Sequence, residues 1–228
     1  MLKRCVLLLL ILGIAYPVFA QTVQVRHDHD PWGACEGELV VDENGIQYVT
    51  DKEDHQKSWE WIDIQGFDRW SPERFSVLTY EDLKWHFGLD RNFDFTVLPG
   101  EAALEEAAFA MIERNLIRPV TDRIPKVDEP EYQVPVKHIH VFGGCEGVLT
   151  FGRDRVVYET THVRDARSWQ RDKHIANVWS SNPYELELRV FEENRRAFDK
   201  TTRFLFQLKE PLDVAYYERL RREFLMLR

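Results

Sequence analysis

Short apolar runs and strict alternation dominate the chain, and they predict strands. Glu38–Asp42 and Ile46–Thr50 are β-rich runs separated by Glu43-Asn44-Gly45. Asn-Gly tolerates the positive φ of a tight turn, so the pair reads as a hairpin. Trp59–Ile64, Gly66–Trp70 and Phe75–Tyr80 follow, rich in aromatic and β-branched residues. In the next run Phe93, Phe95 and Val97 share one face by period-two alternation. The period then changes. Leu104, Ala107, Ala108, Met111, Ile112 and Leu116 recur at three- and four-residue steps, the stripe of an amphipathic helix. Pro99 stands just before it, Glu101, Glu105 and Glu106 lie at its start and Arg114 and Arg118 at its end, as the helix dipole favours.

The second half has the same grammar. Val148–Phe151, Arg155–Thr160, a run from Ser168-Trp169, Ile175–Ser180, Tyr184–Phe191 and Phe204–Leu208 read as strands. Leu186-Glu187-Leu188-Arg189-Val190 alternates strictly, which predicts one wet and one buried face. A second helix is expected from about Pro211, with Leu212, Tyr216, Leu220 and Phe224 as its stripe. Between the halves, Pro119, Pro125, Pro130 and Pro135 deny helix and favour an extended, semi-stiff connector.

The halves also match residue by residue. His27-Asp28-His29, then a glycine-containing stretch and Cys35-Glu36-Gly37, is answered by His138-Ile139-His140 and Cys145-Glu146-Gly147. At one constant offset Leu39 answers Leu149, Tyr48 answers Tyr158, Thr50 answers Thr160 and Ser58-Trp59 answers Ser168-Trp169. One residue out of that register, Phe93 and Phe95 answer Phe204 and Phe206, and Glu81 answers Glu192. So many rare residues at one spacing imply a duplicated domain.

A meander of strands opened by Cys-Glu-Gly-x-Leu and closed by one amphipathic helix resembles the pleckstrin-homology-like (PH-like) superfold, with its GRAM relatives. The resemblance implies a mainly β fold with α: two repeated bent β-sandwich or barrel units, each closed by a C-terminal helix. It divides the chain into a signal peptide at 1–20, a first repeat at 21–118, a proline-containing linker at 119–135 and a second repeat at 136–228. A lipocalin-like or cystatin-like β/α unit is the competing architecture. PH-like domains that bind phosphoinositides use basic residues between the first two strands. The loops in question are read here as Asp42-Glu43-Asn44-Gly45, which is acidic, and Gly152-Arg153-Asp154-Arg155, where an aspartate interrupts two arginines. Phosphoinositide membrane binding is therefore not expected.

Composition adds limits. Hydrophobic residues make up 44% of the 228 and charged residues 30%, ordinary for a cored protein, and the formal net charge of −9 argues against a nucleic-acid partner. Lys3 and Arg4, an apolar run from Cys5 to Ile14 and small residues Val18 and Ala20 have the form of a secretory signal peptide. The expectation is a secreted or periplasmic protein cleaved near Ala20, with an uncleaved N-terminal anchor as the alternative. Cleavage would leave Cys35 and Cys145 in an oxidising compartment. A disulfide between them, separate buried thiols and bridges between chains are all open.

Two constellations bear on chemistry. Alternate residues of a strand share a face, so His27 with His29, and His138 with His140, can each offer two imidazoles to one metal ion, and nearby Asp28, Asp30 and the cysteines Cys35 and Cys145 would broaden the ligand set; two histidines alone do not close a four-ligand site. Partly exposed or hydrogen-bonded histidines without metal are the plainer alternative. Templates for a nucleophile elbow, a phosphate-cradling loop, a zinc-protease helix or a cysteine ladder are absent from the sequence. Glu192-Glu193 and Glu105-Glu106 read as solvated surface, Trp59 and Trp169 as core, and Trp32, Trp70 and Trp85 as loop residues. The expected function is a non-catalytic exported binding or scaffolding module for a protein or peptide, with no cofactor. A metal-binding protein or metal-dependent enzyme built on the His-x-His pairs is the alternative, and a carrier of apolar ligands a weaker one.

Overall fold

The computed structural model describes residues 20–29, 33–82, 90–116, 118, 120–126, 129–192 and 201–226. The segment read as a signal peptide lies outside the described residues apart from Ala20, and so do Trp32 and Trp85. The described chain is mainly β and forms two sheets. The first holds β1 (Gln21–Asp28), β2 (Ala34–Val41), β3 (Gly45–Val49), β4 (Lys57–Glu60), β5 (Ile64–Ser71), β6 (Arg74–Asp82), β7 (Asp90–Val97) and the short β8 (Thr121–Asp122). Helix α1 (Glu106–Asn115) follows β7. The second holds β9 (Pro130–Ile139), β10 (Gly144–Gly152), β11 (Arg155–Thr160) and β12 (Arg167–Gln170). After one helical turn, α2 (Arg171–His174), it continues with β13 (Ile175–Trp179), β14 (Glu185–Val190) and β15 (Thr202–Leu208), and α3 (Val214–Met226) comes last.

The sheet orders are β4-β3-β2-β1-β7-β6-β5-β8 and β12-β11-β10-β9-β15-β14-β13. With β8 set aside, both run fourth, third, second, first, seventh, sixth, fifth. Neither sheet closes on itself, so the barrel form of the expectation is not realised.

The first strand of each sheet was hidden in the sequence. In β1 the inward positions are Gln21, Val23, Val25 and His27, so polar residues at both ends shorten the apolar signal. β9 starts at Pro130, inside the stretch read as linker. It pairs with β15 only from Val136 onward, which leaves Pro135 at the end of that ladder, where a missing N–H is tolerated. The loops 42–45 and 152–155 consequently join second and third strands, not first and second.

Each sheet wraps its own aromatic core, and each helix lays its apolar stripe on that core. In α1 the buried residues include Ala108, Phe109, Met111 and Ile112; Ala107, expected inward, faces solvent. In the second unit Leu212, Tyr216, Leu220 and Phe224 are buried as expected. A fully buried apolar side chain contributes about 1.5–3 kcal/mol, so each helix stripe is a substantial part of its unit's stability.

In each bent sheet an indole and a carboxylate tie the edge strand to the opposite half of the sheet. Trp59 Nε1 on the edge strand β4 donates to Glu81 Oε1 on β6 at 2.9 Å, and Lys57 Nζ donates to Glu81 Oε2 at 2.8 Å. In the second unit Trp169 Nε1 and Arg167 Nε both donate to Glu192 Oε1 at 2.7 Å. Glu192 is buried, so it is a core anchor rather than the solvated residue expected. Glu106 is also paired. Burial pushes its carboxyl up, but hydrogen bonds from Arg69 and Lys126 outweigh that and bring it down to about 2. The expected wet face of β14 is likewise incomplete: Glu187 is buried, held by Arg189 Nε at 2.9 Å and Arg203 Nε at 2.7 Å. Trp70 lies on β5 rather than in a loop, with the Arg123 guanidinium 3.9 Å over its ring.

The two units meet through buried charge. Arg155 Nη2 donates to both oxygens of Glu113 on α1, at 2.8 and 2.7 Å, and Lys173 Nζ donates to the Glu113 carbonyl at 2.7 Å. Arg123 is fixed by Asp68 at 3.0 and 2.7 Å and also donates to the Arg164 carbonyl.

Replacing Glu192 by Ala strands the buried Arg167 charge and should cost about 3 kcal/mol, measured by denaturant unfolding. Acid should also destabilise the fold through His174. Burial pulls this imidazole down to about 4, against Glu113 and Glu192 and with Arg155 and Lys173. Its folded value lies below its unfolded one, so its contribution is complete above pH 6.5 and is lost as the pH falls from there to about 4. The span corresponds to roughly 3 kcal/mol, and His174→Gln should make the unfolding-midpoint profile less steep in that window, leaving the slope that the other buried imidazoles contribute.

Candidate metal centres

In each unit the first hairpin brings the His-x-His pair against the cysteine. His27 stands directly opposite Cys35 in the β1–β2 register, and His138 directly opposite Cys145 in the β9–β10 register. The second pair is one residue nearer its cysteine in sequence, and the turn absorbs the difference. His29 N–H donates to the Gly33 carbonyl across the longer turn, and His140 N–H to the Gly143 carbonyl across the shorter one. Both glycines have positive φ, 104° and 82°, which a residue with a Cβ rarely adopts.

The second centre is the more complete. His140 Nε2 lies 3.0 Å from His138 Nδ1 and 3.3 Å from Cys145 Sγ, and Cys145 Sγ lies 4.0 Å from His138 Nδ1. Asp165, between β11 and β12, brings Oδ1 to 3.6 Å from His140 Nε2 and 3.9 Å from His138 Nδ1. Bonds of about 2.0–2.3 Å to a tetrahedral ion imply donor–donor edges of about 3.5 Å. These five separations scatter around that value.

The first centre gathers three donors. His29 Nε2 is 2.9 Å and His27 Nδ1 3.9 Å from Cys35 Sγ, and the ligand atoms of all three residues fall within 4.8 Å of one another. A third imidazole, His55, meets the His29 ring edge-on at a centroid distance of 4.6 Å.

The cysteines are free thiols buried in separate cores, so they are not bridged to each other. Each is gripped by a tyrosine. Tyr48 Oη lies 3.1 Å from Cys35 Sγ and donates to the Cys35 carbonyl at 3.1 Å. Tyr158 Oη lies 3.1 Å from Cys145 Sγ and donates to the Cys145 carbonyl at 2.9 Å. The glycine of Cys-Glu-Gly makes this possible. A Cβ on Gly37 would sit 2.2 Å from the Val49 carbonyl oxygen and 2.9 Å from Tyr48 Cε2; on Gly147 it would sit 2.2 Å from the Glu159 oxygen and 2.7 Å from Tyr158 Cε2.

Burial sets the protonation of these groups. It pulls His27 and His138 down to about 4, helped by the neighbouring His29 and His140, so both offer an uncharged nitrogen at neutral pH. Burial and then His55 lower His29 as well, and burial pushes the Cys145 thiol up. Four donors of imidazole, thiol and carboxylate type suit zinc and its neighbours in the first transition row.

The sequence pointed to His27, His29, His138, His140, Cys35 and Cys145, and all six take part. It did not point to Asp165, Tyr48 and Tyr158 as part of a centre, although the tyrosines were visible as a repeated pair. Outside the centres, a cleft of about 450 Å³ is lined by Arg153, Asp154, Arg155, Gln170, Arg171, Asp172 and Lys173; its charged lining is unsuited to an apolar cargo.

No protein-family model and no curated protein matches the chain. Among solved structures, one described as the Spt16D Pob3N heterodimer is similar at a TM-score of 0.28, with 11% identity over 83% of this chain and 97% of that one. A likeness so distant has no bearing on the site.

Gly147→Ala should force β10 and β11 apart beside Tyr158. We expect a loss of about 2 kcal/mol in unfolding free energy, the usual scale for overpacking, read from the denaturant midpoint.

Proposed function

We propose that this chain is a non-catalytic, exported metal-binding protein built of two PH-like units, each holding one transition-metal ion beside its first hairpin. The observation that carries the reading is the second centre, where two imidazoles, a thiol and a carboxylate stand at near-tetrahedral separations. The same His-x-His and cysteine arrangement at the matching place in the first unit adds weight. A centre with four protein donors leaves no open position for substrate, which favours a structural or storage role over catalysis. Export fits, because a bound ion would shield two thiols that an oxidising compartment would otherwise oxidise. The PH-like assignment draws on the shared strand order and on a helix that closes each core.

Recognition of a protein or peptide is a second reading, favoured by one feature. Val141 and Phe142, at the turn next to His140, are 92% and 95% exposed. Apolar side chains so bare at a hairpin tip are suited to docking on a partner.

Metal analysis of the purified chain tests the main reading. One zinc ion per unit is expected after dialysis against zinc under reducing conditions, falling to one per chain in the His27→Ala/His29→Ala variant. A folded wild-type chain that retains none would overturn it.

A further inference from the structure

The first centre holds three donors within 4.8 Å of one another and one further imidazole outside that group, His55, whose ring centroid lies 4.6 Å from that of His29. His55 ends a single 3-10 turn, Glu53–His55, and occupies the position in the first unit that Asp165 occupies in the second, at the constant offset that relates the cysteines. Its Nδ1 is buried and has no hydrogen-bond partner among the described residues. A buried polar nitrogen left unmatched is costly unless something else binds it. Its other nitrogen, Nε2, lies 3.5 Å from Asp54 Oδ2. Metal-bound imidazoles place one nitrogen on the ion and give the other N–H to a carboxylate that fixes the ring, and Asp54 stands within ion-pair distance for that role.

We infer that His55 is the fourth ligand of the first centre, binding through Nδ1 while Asp54 orients the ring through Nε2. The inference rests on the metal-binding reading above. It makes the two centres unequal by design. The first is three imidazoles and a thiolate; the second is two imidazoles, a thiolate and a carboxylate. With a divalent ion the first retains one net positive charge and the second none. The carboxylate is the harder donor, so the second centre favours zinc over softer ions more strongly than the first does.

Cobalt(II) titration of the whole chain under reducing conditions tests this, read by the thiolate-to-cobalt charge-transfer band. Wild type should fill two centres. His55→Ala should weaken one of them at least about tenfold and leave the other alone, and Asp54→Asn should weaken the same one by about tenfold. His55→Asp recreates the donor set of the second centre and should restore tight binding. A His55→Ala titration that superposes on wild type overturns the ligand assignment while the metal reading stands. Absence of the band in wild type overturns both. His55 is half-buried in a short turn outside the core, so its variants keep the fold, which circular dichroism checks.

Discussion

Everything at the candidate centres follows from one constraint, the register of the first hairpin in each unit. Pairing His27 with Cys35, and His138 with Cys145, places an imidazole and a thiol on the same inward face at the closest cross-strand distance a sheet offers. A slip of one residue would turn every side chain of β1 or β9 to the other face and disperse the donors. A positive-φ glycine closes each of these turns, and the glycine two residues after each cysteine admits a tyrosine ring that holds the cysteine's strand to the next one.

The second requirement is that the sheet stay bent. An open sheet of seven strands can flatten, and then the aromatic interior would meet water. The indole–carboxylate pairs tie β4 to β6 through Trp59 and Glu81, and β12 to the segment after β14 through Trp169 and Glu192, and so hold the curl. Burying a carboxylate, as at Glu192, is costly, but both carboxylates accept more than one donor, so the charge is compensated where it sits. The helix then needs only to cover what the curl leaves open.

Much of this was readable from the residues. The repeat, the hairpin at Asn44-Gly45, the helix stripes and the six donors of the two centres all rest on local periodicity or on rare residues at fixed spacing. What was not readable depends on contacts between distant segments. Gln21 and His27 disguised β1 because a strand whose inward ends are polar lacks the expected alternation. Pro130 and Pro135 disguised β9, since prolines argue for linker until the strand is seen to lack a full partner on one side. Glu192 and Glu187 looked like surface residues because nothing local reveals Arg167 and Arg203, which reach them from other strands. Asp165 and His55 share an aligned position but not an amino acid, so a comparison of identities passed over both.

The stitch between β5 and β8 changes what counts as the first unit. Thr121 and Asp122 run parallel to Asp68 and Arg69 and cap the strand that would otherwise end the sheet. The presumed spacer is thus partly sheet, and a fragment stopping at residue 118 would bare the backbone groups of β5, an invitation to self-association. In the second sheet, among the described residues, no strand pairs beyond β13; α3 lies against it instead, and Trp179 stands half-exposed along it. The two halves thus shield the corresponding border by different means, one with a strand and the other with a helix.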